Sequence, residues 1–165
     1  MPFGLQRGTR GLIAQPEESG GGGNIGKTMW RILVTGSASN IVGMRLVEFR
    51  TESGGSNVIP IDANEIGYRG FATSFFSASR PHLAFGNNGS SLWLGLKDDV
   101  AAIGWRFDDP TEINEVYWMT ATTANASPSS VSVQSSVNGG KDWQDEWSEG
   151  GLSTAANAFV TSTRP

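Results

Sequence analysis

The side chains able to do acid–base or nucleophilic work are few and scattered. His82 is the single histidine in 165 residues, so a Ser-His-Asp relay would have to run through it, with a serine and a carboxylate converging on its ring nitrogens. Pro81 before it and Phe85 after it point instead to a packing role in a loop or a short helical turn. Adjacent carboxylates stand at Asp98-Asp99 and Asp108-Asp109. Glycoside hydrolysis needs two carboxyl groups roughly 5–10 Å apart on either side of a bond. Neighbouring Asp residues running into a proline, as in Asp108-Asp109-Pro110, are more commonly turn formers that bond their own backbone. The chain has no cysteine, which removes disulfides, thiolate metal sites and thiol nucleophiles together. These residues argue for a protein that binds or builds, not one that catalyses.

The chemistry that remains is aromatic. Six tryptophans suit sugar binding, in which ring faces stack on pyranoses while Asn, Asp and Arg bond the hydroxyls. They suit a sandwich core equally well, because large rings dominate core burial. Trp30, Trp105 and Trp118 sit among alternating apolar residues and are expected in the core. Trp93, Trp143 and Trp147 lie near turns and are expected at the rim. Phe75 and Phe76, adjacent in sequence, should point to opposite faces of an extended segment, leaving one exposed.

The elements that position these residues read as strands. Ile103, Trp105 and Phe107 alternate on one face, an Asp-Asp-Pro turn follows, and a second strand runs from Ile113 to Thr120. After a polar loop, a third strand spans Ser130 to Val137 and ends in an Asn138-Gly139-Gly140 turn before Trp143 and Trp147. Period-two alternation bounded by Pro, Gly and Asn is the mark of half-buried antiparallel strands. Upstream, strands are expected at Trp30–Thr35 and Met44–Arg50. In the latter, Met44, Leu46 and Glu48 should share one face and Arg45, Val47 and Phe49 the other. Thr51–Ala63 is turn-rich, Asn64–Thr73 reads as a loop or irregular strand, and one turn of helix fits Pro81–Phe85. The fold class is therefore all-β: an antiparallel sandwich at residues 29–165.

Several short blocks, in order, resemble discoidin-like domains, the galactose-binding-like jelly rolls also known from coagulation factors. They are Trp30-Arg31-Ile32-Leu33-Val34, Met44 to Arg50, Ser77-Ala78-Ser79, Ala84-Phe85 with Trp93, Ile103 to Phe107, and Ser130 to Trp143. The resemblance spans about Met29 to Gly151. A first strand opening on Trp-Arg is most similar to those on bacteriophage tail and fibre proteins. The resemblance implies a jelly-roll topology with ligands met by loops at one end, here Ser37–Ile41, Arg69–Phe76, Asn87–Trp93 and Thr122–Ser127. Glycan contacts are then expected from Arg69, Phe75, Asn87, Asn88 and Trp93. Such domains often hold Ca²⁺ between the Ala-Phe pair and the following tryptophan. Hard cations take six to eight oxygens, usually with carboxylates, and the loop Phe85–Trp93 has no Asp; its amide and main-chain oxygens could still coordinate with weaker charge compensation, so Ca²⁺ stays an open alternative and no cofactor is predicted.

Composition sets the outer limits. A net charge of −4, with twelve basic residues spread singly, leaves no cationic stripe to neutralise phosphates, so nucleic acid is not an expected partner. No segment is long and apolar enough for membrane insertion, and Met1-Pro2-Phe3-Gly4-Leu5-Gln6-Arg7-Gly8 lacks the apolar run of a secretion signal. Residues 1–28 form a separate unit, with an apolar island at Leu12-Ile13-Ala14 and then four glycines, Gly20–Gly23, which make a flexible joint. This unit reads either as a disordered tail or as an extended docking arm, the latter with Phe3, Leu5, Leu12 and Ile13 as apolar anchors and Arg7 and Arg10 as donors. With such an arm, the resemblance to domains of bacteriophage tail and fibre proteins implies a virion structural protein, in the tail, the fibre or as head decoration. Its arm would dock on other virion proteins in symmetric copies, assembled in the host cytoplasm, with the sandwich facing host carbohydrate. The alternative is a free carbohydrate-binding module or lectin.

Overall fold

The computed structural model describes residues 26–60, 69–86, 92–97 and 100–165. Among the described residues nine strands follow one another: β1 (Met29–Gly36), β2 (Ile41–Arg50), β3 (Gly70–Ala72), β4 (Trp93–Leu96), β5 (Ala102–Arg106), β6 (Glu115–Thr120), β7 (Ser130–Ser136), β8 (Gln144–Gly150) and β9 (Phe159–Thr163). A single turn of helix, α1 (His82–Phe85), stands between β3 and β4. The strands form two antiparallel sheets, one ordered β3-β5-β1-β7-β8 and the other β4-β2-β6-β9. The chain is thus a β-sandwich. The strands expected around residues 30–35, 44–50, 103–107, 113–120 and 130–137 all form, with ends displaced by up to three residues.

Alternation decides which side chains meet between the sheets. Trp30, Ile32, Val131, Val133, Ile103 and Trp105 of the larger sheet are buried against Val42, Met44, Val47, Phe49, Val116 and Trp118 of the smaller. Rings then bridge the layers: Phe85 of α1 lies 5.2 Å from Trp105 edge-on and 6.4 Å from Phe49, which meets Phe107 edge-on at 6.3 Å. Edge-to-face pairs of this kind add about 0.5–1.5 kcal/mol beyond area burial. The indole N–H groups of Trp105 and Trp118 reach no acceptor among the described residues, so these two rings serve the core through bulk alone.

Strand β2 departs from simple alternation. Its register against β6 shifts between Arg45 and Glu48, and Leu46 sits there at φ +48°, the left-handed region that costs a non-glycine residue about 1–2 kcal/mol. This bulge inserts one extra residue and flips the phase. Met44, Val47 and Phe49 therefore face the core, while Arg45, Glu48 and Arg50 pair with the outward Met119, Tyr117 and Glu115. The expected grouping of Met44, Leu46 and Glu48 on one face is corrected accordingly, because uninterrupted period-two counting cannot see an inserted residue.

Carboxylates staple the sandwich. Glu115 on β6 is 2 % exposed and accepts hydrogen bonds from Arg50 Nη1 (2.8 Å), Ser53 Oγ (3.0 Å), Gly54 N (3.1 Å) and Thr163 Oγ1 (3.2 Å). It gathers β2, the turn after it, β6 and β9 around one charge. Burial alone would raise this carboxyl, but the four donors together hold it below the ordinary carboxylate range. Glu146 on β8 does the same for the two ends of the domain, pairing with Lys27 at 2.9 Å and with Arg164.

Candidate functional site

The most organised surface lies on the outward face of the five-stranded sheet. Register makes five residues direct neighbours across it: Phe71 of β3 opposes Gly104 of β5, Gly104 opposes Arg31 of β1, Arg31 opposes Gln134 of β7, and Gln134 opposes Asp145 of β8. One row of side chains therefore crosses all five strands. Gly104 is where the row is flattest. A Cβ there would lie 2.4 Å from Phe71 Cζ and 2.8 Å from Arg31 Cβ, so the missing side chain is what lets the ring and the arginine stem close over the sheet.

Trp143 covers this row from the β7–β8 turn. Gly139 and Gly140 adopt φ of +71° and +83°, the region only glycine enters freely. The turn is pinned by Ser136 Oγ, which accepts from Gly140 N at 2.9 Å, and by Asn138 Oδ1, which accepts from Asp142 N at 3.0 Å. Trp143 then places its ring 4.0 Å from the guanidinium carbon of Arg31 and 5.8 Å from Phe71. A stacked cation–π contact contributes about 0.5–2 kcal/mol depending on exposure, and it holds the guanidinium flat.

The polar half of the row is a relay of hydrogen bonds. Arg31 Nε donates to Gln134 Oε1 at 2.6 Å, Gln134 Nε2 donates to Asp145 Oδ1 at 2.8 Å, and Ser132 Oγ donates to the same oxygen at 2.5 Å. The bonds from Ser132 and Gln134, with Arg31 nearby, keep the Asp145 carboxyl below its usual range. Partial burial pulls the Arg31 guanidinium the other way, below its usual value, with Asp145 opposing. Two sets of polar atoms stay unengaged among the described residues. They are the terminal nitrogens of Arg31, whose bond uses Nε, and Asp145 Oδ2, since both donors take Oδ1. A hollow of about 150 Å³ shares Trp143 and is lined also by Ser136, Asn138, Asp142 and Gln144.

The residues expected to bind a ligand are not gathered in this way. Trp93 is fully buried, with its indole N–H bonded to Ser74 O at 2.9 Å, and so offers no face to solvent; its role as a glycan contact is corrected to core packing. Trp147, 6 % exposed, is likewise a core ring, lying 6.3 Å from Trp30 and donating to Ser162 Oγ at 2.9 Å. A position near a turn says nothing about which way an alternating strand aims its side chain, and both fall on inward positions. Trp143 is partly exposed at the turn itself. Phe75 and Phe76 are both exposed, at 52 % and 45 %. Arg69 is paired with Asp108 at 2.6 Å, and no hydrogen bond or ring contact joins it to Phe75. Asn87 and Asn88 lie outside the described residues, as do Asp98 and Asp99 and the arm residues Phe3, Leu5, Arg7, Arg10, Leu12 and Ile13.

Other chemistry is not assembled among the described residues. His82 lies in α1, and among the described residues no group of three or more His, Cys, Asp or Glu side chains is placed to hold a metal ion. Comparison with protein-family models, with curated proteins and with solved structures gives no match. Two rings, a flat cation with open donors and a carboxylate with an open acceptor suit non-covalent recognition of a polyhydroxylated surface.

Proposed function

We propose that this chain is a non-enzymatic structural protein of a bacteriophage particle, in tail, fibre or head decoration, whose sandwich presents the Phe71–Asp145 row to a glycan on the host surface. In this reading the segment ahead of Lys27 docks on a neighbouring virion protein, while Lys27 and Thr28 are bonded into the sandwich, and the domain is a discoidin-like jelly roll, as the order of its sequence blocks suggests. The observation that carries the ligand is the pair of open groups on one platform. The terminal nitrogens of Arg31 donate and Asp145 Oδ2 accepts, beside the rings of Trp143 and Phe71. Vicinal sugar hydroxyls need a donor and an acceptor at once, and the C–H face of a pyranose needs an aromatic surface. The ligand therefore belongs on the sheet face instead of the end loops.

The test is a glycan array with the full chain, followed by calorimetry on whatever binds. Trp143→Ala and Arg31→Gln should each weaken binding by tenfold or more, as expected for a central aromatic and arginine, while near-ultraviolet circular dichroism stays native. Binding that survives both substitutions would remove the row from the proposal. For the arm, Leu12→Asp with Ile13→Asp should abolish incorporation into particles, and unchanged incorporation would sink that part.

A further inference from the structure

A sandwich with two open sheets has four edge strands, and three of them are closed to further pairing. Strand β3 is three residues long. Strand β8 carries Asp145, Glu146 and Glu149 and shifts register opposite Val133 and Gln134. Strand β4 is lined by the chain that follows β3: Phe76 N donates to Leu94 O at 2.8 Å, Leu94 N to Ser79 O at 3.4 Å, and Leu96 N to Ser74 Oγ at 3.0 Å. Shortness, charge, bulges and cover are the devices that keep edges from pairing. Strand β9, Phe159-Val160-Thr161-Ser162-Thr163, has none of them and contains no charge, proline or glycine.

The hydrogen-bond phase identifies the open groups. Thr120 N donates to Ala158 O and Arg164 N to Asn114 O, both at 2.8 Å, so positions 158, 160, 162 and 164 turn their backbone toward β6. Alternation in an antiparallel ladder then points the N–H and C=O of Phe159, Thr161 and Thr163 away from the sheet. Among the described residues nothing pairs with that side of β9.

We propose that β9 is a homotypic interface, to which β9 of a second copy of this chain adds antiparallel about a two-fold axis at Thr161. Symmetry and charge select this occupant. The open groups are spaced evenly about Thr161. A two-fold therefore sets Thr161 opposite its counterpart and Phe159 opposite the partner subunit's Thr163, giving three bonded pairs and about six N–H···O bonds. An uncharged strand meets its own copy without like charges, whereas β8 against β8 would align three carboxylates per chain. Phe159, 59 % exposed and stacked on Tyr117 at 5.5 Å, gains a β-branched neighbour across the junction. The two small sheets become one sheet of eight strands.

Light scattering after size exclusion, with amide hydrogen exchange on the full chain, tests this. The expected mass is twice the 17.5 kDa of one chain, and the amides of Phe159, Thr161 and Thr163 should exchange roughly a hundredfold more slowly in the dimer than in a monomeric variant. Thr161→Lys places a charge on an exposed edge position and should return the single-chain mass with native circular dichroism. Phe159→Glu, also at an exposed position, serves as the second variant should the first not fold. A chain that stays monomeric at its highest soluble concentration overturns the proposal, as does a dimer indifferent to both substitutions. Slow exchange of the three amides in a monomer would assign the edge to a segment of the same chain and overturn it equally.

Discussion

Gly104→Ala tests the fold and the site together. A Cβ at this position would lie 2.3 Å from the carbonyl oxygen of Trp30, 2.4 Å from Phe71 Cζ and 2.8 Å from Arg31 Cβ. The Phe71 ring can swing away, but the Trp30 carbonyl belongs to β1, which is held in register on both sides by β5 and β7. Real contacts never come this close, so β5 must separate from β1 locally. Overpacking of this kind costs about 1–3 kcal/mol. The reduced freedom of the unfolded chain returns about 0.4–1 kcal/mol of it. A net loss of about 1–2 kcal/mol lowers Tm by roughly 2–8 °C in a domain of this size. Thermal unfolding followed by tryptophan fluorescence reads the shift. Gly150→Ala is the control, since its Cβ would meet nothing nearer than Ser130 Cβ at 3.8 Å, and Tm should move by less than about 1 °C. Below Tm, Gly104→Ala should also weaken any glycan binding of the kind proposed for the row, because Phe71 and Arg31 are the side chains displaced. A Tm equal to or above that of the unaltered chain would refute the close approach of β1, β3 and β5 on which the row depends.

Glu115→Ala removes the acceptor shared by Arg50, Ser53, Gly54 and Thr163. Breaking a buried pair costs about 3–5 kcal/mol, and Arg50 keeps Glu48 at 2.6 Å, so urea unfolding should show a loss toward the lower end of that range. Trp93→Ala should destabilise by about 3–5 kcal/mol as a core truncation, whereas Trp143→Ala should cost well under half of that and be read in binding. Stability should also depend on pH in one direction. Glu115, Glu146 and Asp145 are held below their unfolded values. Their contribution is therefore complete above the unfolded carboxyl range and is lost as pH falls through the lower folded values, so urea midpoints should be level from neutrality to about pH 5 and drop below about pH 4.

Much of the architecture was legible because strand patterning is local. Ile103, Trp105 and Phe107 face the core as their spacing requires, the Asn138-Gly139-Gly140 turn falls at the expected place, and Trp30, Trp105 and Trp118 fill the interior. The errors share a cause. The bulge at Leu46 is set by how β2 meets β6, not by any residue that announces it, and it moved Glu48 to the outer face. Trp93 and Trp147 sit beside turns in sequence yet point inward, because strand phase outranks nearness to a loop. The one sequence hint of the row was Trp143, reached from a glycine turn and free of the apolar alternation that buries the others.

The amino-acid pattern alone was sufficient for an all-β chain, for most strand positions and for the identity of three core tryptophans, since alternation and turn chemistry act over a few residues. It was silent on the row itself. Phe71, Gly104, Arg31, Gln134 and Asp145 come from five strands, and their adjacency exists only once two sheets have formed with a particular strand order and register. The same is true of the open edge at β9. A strand becomes an edge by being last in its sheet, and that place is settled by long-range pairing, which leaves no local mark on the sequence.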